Sequence, residues 1–253
     1  MLVDTHTHLC LPDFDDDRAE VLDRAAEAGI GAVISVSETL AEVERNLELA
    51  ERFPGRMLPA AGLFPTILDR EQGRAIEERI RRQPERFVAI GEVGLDYWKV
   101  PDETGREVQR TIFCRFVELA LELDLPLNVH SRSAGRATIA LLVEMGARRV
   151  QLHAFDGRAA KAQPAVEAGY FFSVPPSIVR SRQKQKLVRR LPLKNLLVET
   201  DSPVLGPEPS ERNEPANARI SLEQIAELKD IAIEEAEAVI AANTRRLYGE
   251  GIC

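Results

Sequence analysis

The chain has few cysteines, few aromatic residues and no long apolar run. Its 3 cysteines lie at positions 10, 114 and 253, and none belongs to a CxxC pair. Neither a disulfide framework nor a thiolate zinc site is therefore expected, and a reducing cytoplasm is the predicted location. No stretch approaches the roughly 20 apolar residues that span a bilayer, and the N-terminus lacks the basic and apolar regions of a signal peptide. The sequence thus predicts a cytoplasmic protein without membrane association.

Positive charge is also in short supply, with 33 Lys and Arg residues against 41 Asp and Glu residues and a net charge of −8. Such a protein does not attract nucleic acid through a general positive field. An anionic substrate must instead be held locally, by metal ions or by a restricted basic strip. The segment between Glu167 and Glu199 contains no acid and seven bases, which are Arg180, Arg182, Lys184, Lys186, Arg189, Arg190 and Lys194.

Short apolar runs alternate with longer amphipathic segments along the whole chain. The predicted strands cover residues 2–9, 31–37, 57–65, 87–97, 125–131, 150–155, 170–175 and 196–203. Strands that are apolar on both faces are typical of a parallel sheet covered by helices. Eight βα units in about 250 residues predict an α/β fold, a single-domain (β/α)₈ TIM barrel over residues 1–253. An open doubly wound sheet would need a Gly-rich loop after the first strand, which ends instead in HTHL.

Helical periodicity is clearest in residues 15–29, in residues 111–125 and in the tail, where Gly249 ends the predicted final helix. The Pro-rich stretch 203–217 is the one long connection, of a length typical of functional lids or disordered loops. The first helix follows an acidic cluster, and we expect that cluster to cap the helix and compensate its dipole. The cluster consists of Asp13, Asp15, Asp16 and Asp17.

All 4 histidines of the chain fall at or near the C-terminal end of a predicted strand. They are His6, His8, His130 and His153. This end of an α/β barrel carries the active site, whereas histidines placed for packing would scatter over both ends. His6 and His8 are two residues apart, so their side chains point to the same face of a strand. The placement indicates a transition-metal site with imidazole ligands.

Two carboxylates share the predicted rim, Glu92 on the fourth strand and Asp201 on the eighth. Four imidazoles and two carboxylates are too many for one tetrahedral ion and suit two, with a carboxylate between them. Nitrogen-rich sites favour Zn, Mn or Fe over Mg, although Mg is common in nucleases. Taken singly, each residue could instead be a hydrogen-bonded core histidine or a salt-bridge partner. A buried carboxylate without a partner would, however, be costly.

Other catalytic schemes find less support in the residues. A Ser-His-Asp triad would use a histidine of the cluster, and no GxSxG motif is present. A Cys-His nucleophile is disfavoured because Cys10 is merely near His8 and Cys114 falls within a predicted helix. A metal-binding interaction protein without catalysis is a further alternative, disfavoured because the full set of candidate ligands is present.

Six motifs resemble, in this order, those of the TatD family of metal-dependent deoxyribonucleases, which are barrels of the amidohydrolase superfamily. They are DTHTHL, IGEVGLDY, NVHSR, LHAFDG, ETDSP and RNEP, and the resemblance covers essentially the whole chain. HAFDG, YFFSVPPSIVRS and QKQKLV are similar to the subgroup of TatD-domain-containing protein 3. The chain departs from many members at Phe64, where they carry a histidine, and in HAFDG, where they carry HCFSG.

The resemblance implies two divalent ions and the residues that hold them. The first ion would be held by His6, His8, Glu92 and Asp201, and the second by Glu92, His130 and His153. Glu92 would then bridge the ions, and Asp201 would accept or shuttle the proton of the attacking water. The fourth strand contains no lysine, which favours the nuclease branch over the lactonase and phosphotriesterase relatives.

The activity implied by the resemblance is phosphodiester hydrolysis, with single-stranded DNA ends as substrate and 3′–5′ exonuclease polarity. The same residues could hydrolyse an ester, including that of an aminoacyl-tRNA, or a small amide. No stable protein partner is predicted.

Three arginines are the predicted substrate-binding residues, Arg132, Arg180 and Arg212. Arg180 begins the basic strip beside the rim, where barrels place phosphate sites, although a solvated helix face is the alternative. Arg132 and Arg212 could anchor phosphate or tie down their own loops. Tyr97 and Trp98 could stack a base or pack against the barrel. Glu199 shares strand parity with Asp201 and could support a ligand, bind an ion or be buried for structural reasons.

Overall fold

Eight parallel strands form one sheet in chain order in the computed structural model of the protein, which describes residues 1–252. They are β1 (Leu2–Thr7), β2 (Ile30–Ser35), β3 (Met57–Ala61), β4 (Ala89–Gly94), β5 (Leu127–His130), β6 (Val150–Leu152), β7 (Phe171–Val174) and β8 (Leu196–Val198). Every predicted strand is present but shorter than the predicted run, because the apolar runs continue past the last residue that pairs with a neighbour. Cys253 lies outside the described residues.

Backbone hydrogen bonds between the ends of β1 and β8 bring the two edges of the sheet together. The amide of His8 donates to the carbonyl of Ser202 at 2.9 Å, and the amide of Asp201 donates to the carbonyl of His6 at 2.8 Å. The other neighbouring strands pair in parallel along the sheet. The predicted TIM barrel is therefore confirmed, and its edges meet at the rim that carries the histidines.

Helices follow the strands and cover the outside of the sheet. They are α1 (Arg18–Glu27), α2 (Leu40–Arg52), α3 (Arg70–Arg82), α4 (Glu103–Leu123), α5 (Gly135–Glu144), α6 (Gln163–Glu167), α7 (Arg182–Arg190), α8 (Ala218–Lys229) and α9 (Ile233–Tyr248). The predicted final helix is confirmed, with Gly249 at its end at φ 102°. No helix among residues 1–252 is both long and apolar enough to cross a membrane.

The start of α4 lies earlier than the periodicity predicts. Asp102 caps the helix by accepting a hydrogen bond from the amide of Gly105 at 2.7 Å, so that the helix begins at Glu103 and not near residue 111. The first turns of α4 are polar, and for this reason the apolar pattern alone did not reveal them.

The acidic cluster before α1 does not cap that helix, so the capping part of the prediction was wrong. Asp17 occupies the N-cap position, but its side chain makes no capping hydrogen bond. Its carboxylate pairs with Arg24 and Arg212, and that of Asp15 pairs with Arg18 and Arg45. The arginine partners, which lie up to 195 residues away, compete successfully with the helix amides for these carboxylates.

The apolar core lies between the helices and the outer face of the sheet. Phe113 and Phe116 of α4 and Ile80 of α3 are buried in one cluster with Ile90 and Val129 of the strands. Fully burying a side chain of this size stabilises the fold by about 1.5–3 kcal/mol. The core therefore fixes the strands whose ends carry the candidate ligands.

The interior of the barrel is polar beneath the rim. The Tyr248 hydroxyl of α9 donates to Gln151 Oε1 at 2.6 Å, and Gln151 Nε2 donates to Ser173 Oγ at 2.8 Å. Asn128 Nδ2 donates to the carbonyl of Thr5 at 2.8 Å. Because these buried groups are hydrogen-bonded to one another, they form an ordered floor under the candidate site.

Candidate metal centre

The six candidate ligands meet inside the C-terminal end of the barrel, and all are buried. They are His6, His8, Glu92, His130, His153 and Asp201, a set called the rim cluster below. Each lies in the second half of a strand or within three residues after one. Parallel strands of a barrel end at one rim, so residues far apart in sequence converge there.

Two histidines and two carboxylates of the rim cluster approach one another deep in the barrel. His6 Nε2 and His8 Nε2 are 3.4 Å apart, and Asp201 Oδ1 lies 3.4 and 3.3 Å from them. Glu92 Oε2 lies 3.7 and 3.5 Å from the same two nitrogens. Ligands of a tetrahedral ion at 2.0–2.1 Å are about 3.3–3.4 Å apart. This deep group therefore has the spacing that suits one cation.

The second oxygen of Glu92 faces the other two histidines. Glu92 Oε1 is 2.6 Å from His130 Nδ1 and 2.9 Å from His153 Nε2, and these nitrogens are 3.2 Å apart. We call these three residues the outer group. Glu92 thus presents one oxygen to each group, so its carboxylate lies between two possible cation positions.

The two groups are contiguous. The rings of His6 and His153 stack with their centroids 3.8 Å apart and an interplanar angle of 4°. Ligand atoms of His6, His153 and Asp201 also lie within 4.8 Å of one another. An ion in either group would therefore lie close to ligands of the other.

Two polar residues orient the histidines from behind. His6 Nδ1 is 2.7 Å from Asn128 Oδ1, and His130 Nε2 is 3.0 Å from Asp96 Oδ2. Such partners fix the ring orientation and tautomer of metal-binding histidines. Sequence reasoning did not single out either residue. Strand parity places Asn128 on the same face of β5 as His130, whereas Asp96 lies two residues after the end of β4 and has no such signal.

Two further acids lie beside the cluster. Glu199 Oε1 accepts the amide of Ala154 at 2.8 Å, while its Oε2 is 3.9 Å from His153 Nδ1, too far for a hydrogen bond. Glu199 thus holds the backbone next to His153. Glu38, which sequence reasoning missed, has Oε1 3.8 Å from His8 Nδ1. It lies in the loop after β2, and no periodic pattern marks it.

Negative charge dominates the electrostatics of the rim cluster. Burial acts to lower the pKa of His6, but its contact with Asp201 and the charge of Glu92 raise that pKa to about 10. Burial also acts to lower the pKa of His130, but its hydrogen bonds to Asp96 and Glu92 raise that pKa to about 9. Burial would raise the pKa of Asp201, yet its close contacts with the imidazoles of His6 and His8 hold that pKa well below its usual range. The carboxylates therefore create a potential that favours cations.

A cavity of about 380 Å³ opens onto the cluster and is called the site cavity below. Its walls include His130, Arg132, His153, Asp156, Lys184 and Asp201. Lys184 Nζ donates to the carbonyl of Ala154 at 3.1 Å. No carboxylate among residues 1–252 lies within ion-pair distance of this ammonium group. Sequence reasoning placed Lys184 in the basic strip but did not assign it to the site.

The three predicted substrate-binding arginines lie in different surroundings. Arg132 lines the site cavity, and its guanidinium lies 3.8 Å from the ring centre of Trp98, which is 55% exposed. Arg180 is exposed and donates to a loop carbonyl at 3.1 Å. Arg212 does not line the cavity, and it forms two hydrogen bonds to the Asp17 carboxylate, at 2.8 and 2.5 Å. Of the three, Arg132 alone borders the cavity.

The two departures from the family motifs also lie at the rim. The ring of Phe64 packs edge-on against that of His130, with centroids 5.1 Å apart. Asp156 Oδ2 accepts the amide of Ser133 at 2.9 Å, which joins the loops after β5 and β6. Phe64 therefore packs against the outer group, and Asp156, one of the two residues by which HAFDG differs from HCFSG, supports the loops beside it.

Comparisons with known proteins find similar proteins that match nearly the whole chain. Residues 3–249 match the family model described as TatD related DNase. The chain is 48% identical to human "Deoxyribonuclease TATDN3", over 98% of this chain and 94% of the relative. It is 32% identical to the Bacillus subtilis "Uncharacterized metal-dependent hydrolase YabD", over 98% and 99%. The crystal structure of YjjV, a TatD homolog from Escherichia coli, superposes with a TM-score of 0.90 at 29% identity, covering 98% and 97%.

Proposed function

The chain belongs to the TatD-related DNase family and is a metal-dependent hydrolase, and from that premise we propose that it is a two-metal exonuclease that removes nucleotides from the 3′ ends of single-stranded DNA. The observation that supports the two-metal part is the Glu92 carboxylate, whose oxygens lie 3.5 Å from His8 Nε2 and 2.6 Å from His130 Nδ1. The relatives' names support DNA as the substrate class.

The donor set fits two divalent cations. We assign His6, His8, Glu92 and Asp201 to one ion, and Glu92, His130 and His153 to the other. Imidazole nitrogens combined with carboxylates favour Zn, Mn or Fe over Mg. When bound, two such ions lower the pKa of a shared water and stabilise the charge that develops on phosphoryl oxygens.

Side chains around the site cavity supply the remaining chemistry. Asp201 reaches the cavity from the deep group, which places its carboxylate to accept the proton of an attacking water. Lys184 and Arg132 line the same cavity and carry positive charge that can bind the phosphate oxygens of a substrate. Arg180 lies just before α7, at the start of the basic strip. A substrate role for Arg212 stays a prediction, and it would require the Asp17 ion pair to break.

The experiment compares wild type with Glu92→Gln, each supplied with Mn, Co, Zn or Mg. The substrates are bis-p-nitrophenyl phosphate and a 5′-labelled single-stranded oligonucleotide. Wild type is expected to shorten the oligonucleotide stepwise from its 3′ end, and Glu92→Gln is expected to leave it intact. Glu118→Gln is the matched control, because Glu118 is exposed on α4 and outside the site.

Two results would contradict the proposal. Equal laddering by Glu92→Gln would mean that the rim cluster does not catalyse the cleavage. Failure of the metal-loaded wild type to cleave either phosphodiester would exclude the nuclease and direct the search to esters, beginning with a mischarged aminoacyl-tRNA.

A further inference from the structure

A second cavity, of about 880 Å³, lies between α7 and the loop after β6. Four exposed cations line it, Arg158, Lys186, Arg189 and Arg190, and we call the surface that they form the basic groove. Its remaining lining residues are Gly157, Ala159, Ala160 and Gln183. The groove combines positive charge with enough room for part of a polymer.

The basic groove and the site cavity are lined by neighbouring residues of the chain. Asp156 and Lys184 line the site cavity, while their chain neighbours Gly157 and Gln183 line the groove. Gln183 Nε2 donates to the carbonyl of Gly157 at 2.7 Å, which ties the two walls together. The two cavities are therefore lined by the same two chain segments, residues 156–158 and 183–190.

The charge of the groove is not neutralised within the protein. None of its four cations forms an ion pair with a carboxylate in the part of the chain that the structure describes, residues 1–252. On the other side of the barrel, Arg79, Arg81 and Arg86 are each paired with a glutamate. The nearest acid in sequence, Asp156, has an oxygen occupied by the amide of Ser133. The groove cations are thus free to bind an external anion.

The sequence of α7 explains how these charges are presented. The helix buries Leu187 and Val188 and is capped by the Ser181 side chain, which accepts the amide of Lys184. Lys186 and Arg190 are four residues apart, so they lie on the same helix face. At 1.5 Å per residue, Lys184 in the site cavity and Arg190 in the groove are about 9 Å apart along the helix. This distance is more than twice the roughly 3.4 Å rise per nucleotide of a stacked strand, so the two side chains can contact different phosphates.

We propose that the basic groove binds the phosphodiester backbone of single-stranded DNA on the 5′ side of the bond held in the site cavity. The inference rests on the proposed function and adds the path that the strand follows. No aromatic residue among residues 1–252 lines the groove. It therefore contacts phosphates and not bases, and binding there is independent of base sequence.

The first test measures binding without cleavage. A fluorescein-labelled oligothymidylate is titrated with the 253-residue chain in EDTA at several salt concentrations, and anisotropy is recorded. Lys186→Glu combined with Arg190→Glu is expected to weaken binding more than about 10-fold and to reduce the salt slope by about 2. The matched control is Arg52→Glu combined with Arg148→Glu, two exposed arginines that form no ion pair among residues 1–252. The control should leave affinity within about twofold of wild type.

The second test uses the metal-loaded enzyme. The groove variant is expected to raise KM for the long oligonucleotide about 10-fold or more, while its kcat/KM for bis-p-nitrophenyl phosphate stays at the wild-type value. If the groove variant keeps the wild-type affinity, salt slope and KM for the oligonucleotide, the proposed role of the groove is wrong. Competition by poly-glutamate as effective as that by DNA would also overturn it, because the groove would then bind any polyanion.

The groove and the proposed function can fail separately. If wild type cleaves neither phosphodiester but the groove variant still loses oligonucleotide binding, the nuclease is excluded and the groove stands. If wild type produces the 3′ ladder and the groove variant binds and cleaves like wild type, the nuclease stands and the groove is excluded.

Discussion

The deep and outer groups of the rim cluster hold their ligand atoms in different ways. In the deep group, neighbouring ligand atoms are 3.3–3.7 Å apart, wider than hydrogen bonds between such atoms. In the outer group, Glu92 Oε1 contacts His130 Nδ1 and His153 Nε2 at 2.6 and 2.9 Å. An ion can enter the deep group with its ligands already spaced, whereas in the outer group it must replace existing hydrogen bonds.

The two groups also differ in exposure and in their supporting residues. His6 is fully buried and contacts the neutral amide of Asn128, while His130 is 9% exposed and contacts the carboxylate of Asp96. Both histidines of the outer group line the site cavity. We therefore expect the deep group to bind the first equivalent of metal and the outer group to bind a second, more weakly, beside the substrate.

The largest effect is expected from Glu92→Gln, which removes the residue that the groups share. The amide lacks the negative charge that offsets two cations, so both equivalents of metal should be lost on dialysis. We expect kcat/KM to fall more than about 100-fold, beyond the usual effect of a residue that only supports a ligand. Elemental analysis and steady-state kinetics measure both changes, with Glu118→Gln as control. Retention of two ions by Glu92→Gln would show that the carboxylate does not join the groups.

The next largest effect is expected from Asn128→Leu, which acts on the deep group alone. His6 Nδ1 loses its partner, so affinity for the first equivalent should fall about 10–100-fold. The carbonyl of Thr5 loses a donor as well, and unfolding of the metal-free protein should cost about 1–3 kcal/mol less. A competition titration with a chelating dye and urea denaturation measure these changes. If Asn128→Leu binds the first equivalent of metal with unaltered affinity, His6 is not a ligand of the tighter ion.

Asp96→Asn should produce the converse pattern at the outer group. The asparagine oxygen can still accept the amides of Trp98 and Lys99, as Asp96 Oδ1 does at 2.9 and 2.7 Å, so the loop should keep its shape. Without the negative charge behind His130, affinity for the second equivalent should fall about 10-fold and that for the first should not change. The same dye titration tests this. If Asp96→Asn instead lowers the affinity for the first equivalent of metal, the order of binding that we assign to the two groups is reversed.

The smallest effect is expected from Tyr248→Phe in the floor of the barrel. Gln151 Oε1 loses a donor at 2.6 Å, and we expect the free energy of unfolding to fall by about 1–2 kcal/mol. Both metal affinities should stay within about twofold of wild type, because Asn128 keeps its contact with His6. A 10-fold loss of metal affinity would show instead that the floor orients the histidines.

The barrel and the convergence of the candidate ligands could be predicted because both follow from strand geometry. Parallel strands end at one rim, and two-residue spacing places His6 and His8 on one face. Strand parity shows which face of β5 Asn128 occupies, but its contact with His6, like that of Asp96 with His130, joins different strands or loops and has no signature in a single segment. The two contacts were missed for this reason.

Surface charge was harder to interpret from sequence. Asp17 and Arg212 each had a plausible role within their own segment, yet they pair with each other across 195 residues. The basic groove likewise needs Arg158, which belongs to a loop outside the predicted basic strip. Whether a charge is neutralised or free depends on tertiary contacts, and a charge run alone does not reveal it.

The most direct test is a stoichiometric metal titration of the metal-free protein, with cleavage of a single-stranded oligonucleotide as the readout. Mn²⁺ is added in fractions of an equivalent, and the initial rate of 3′ nucleotide release is measured at each step. The two-group account predicts a low rate during the first equivalent, which fills the deep group, and a rise to the full rate during the second. A full rate at one equivalent would contradict it.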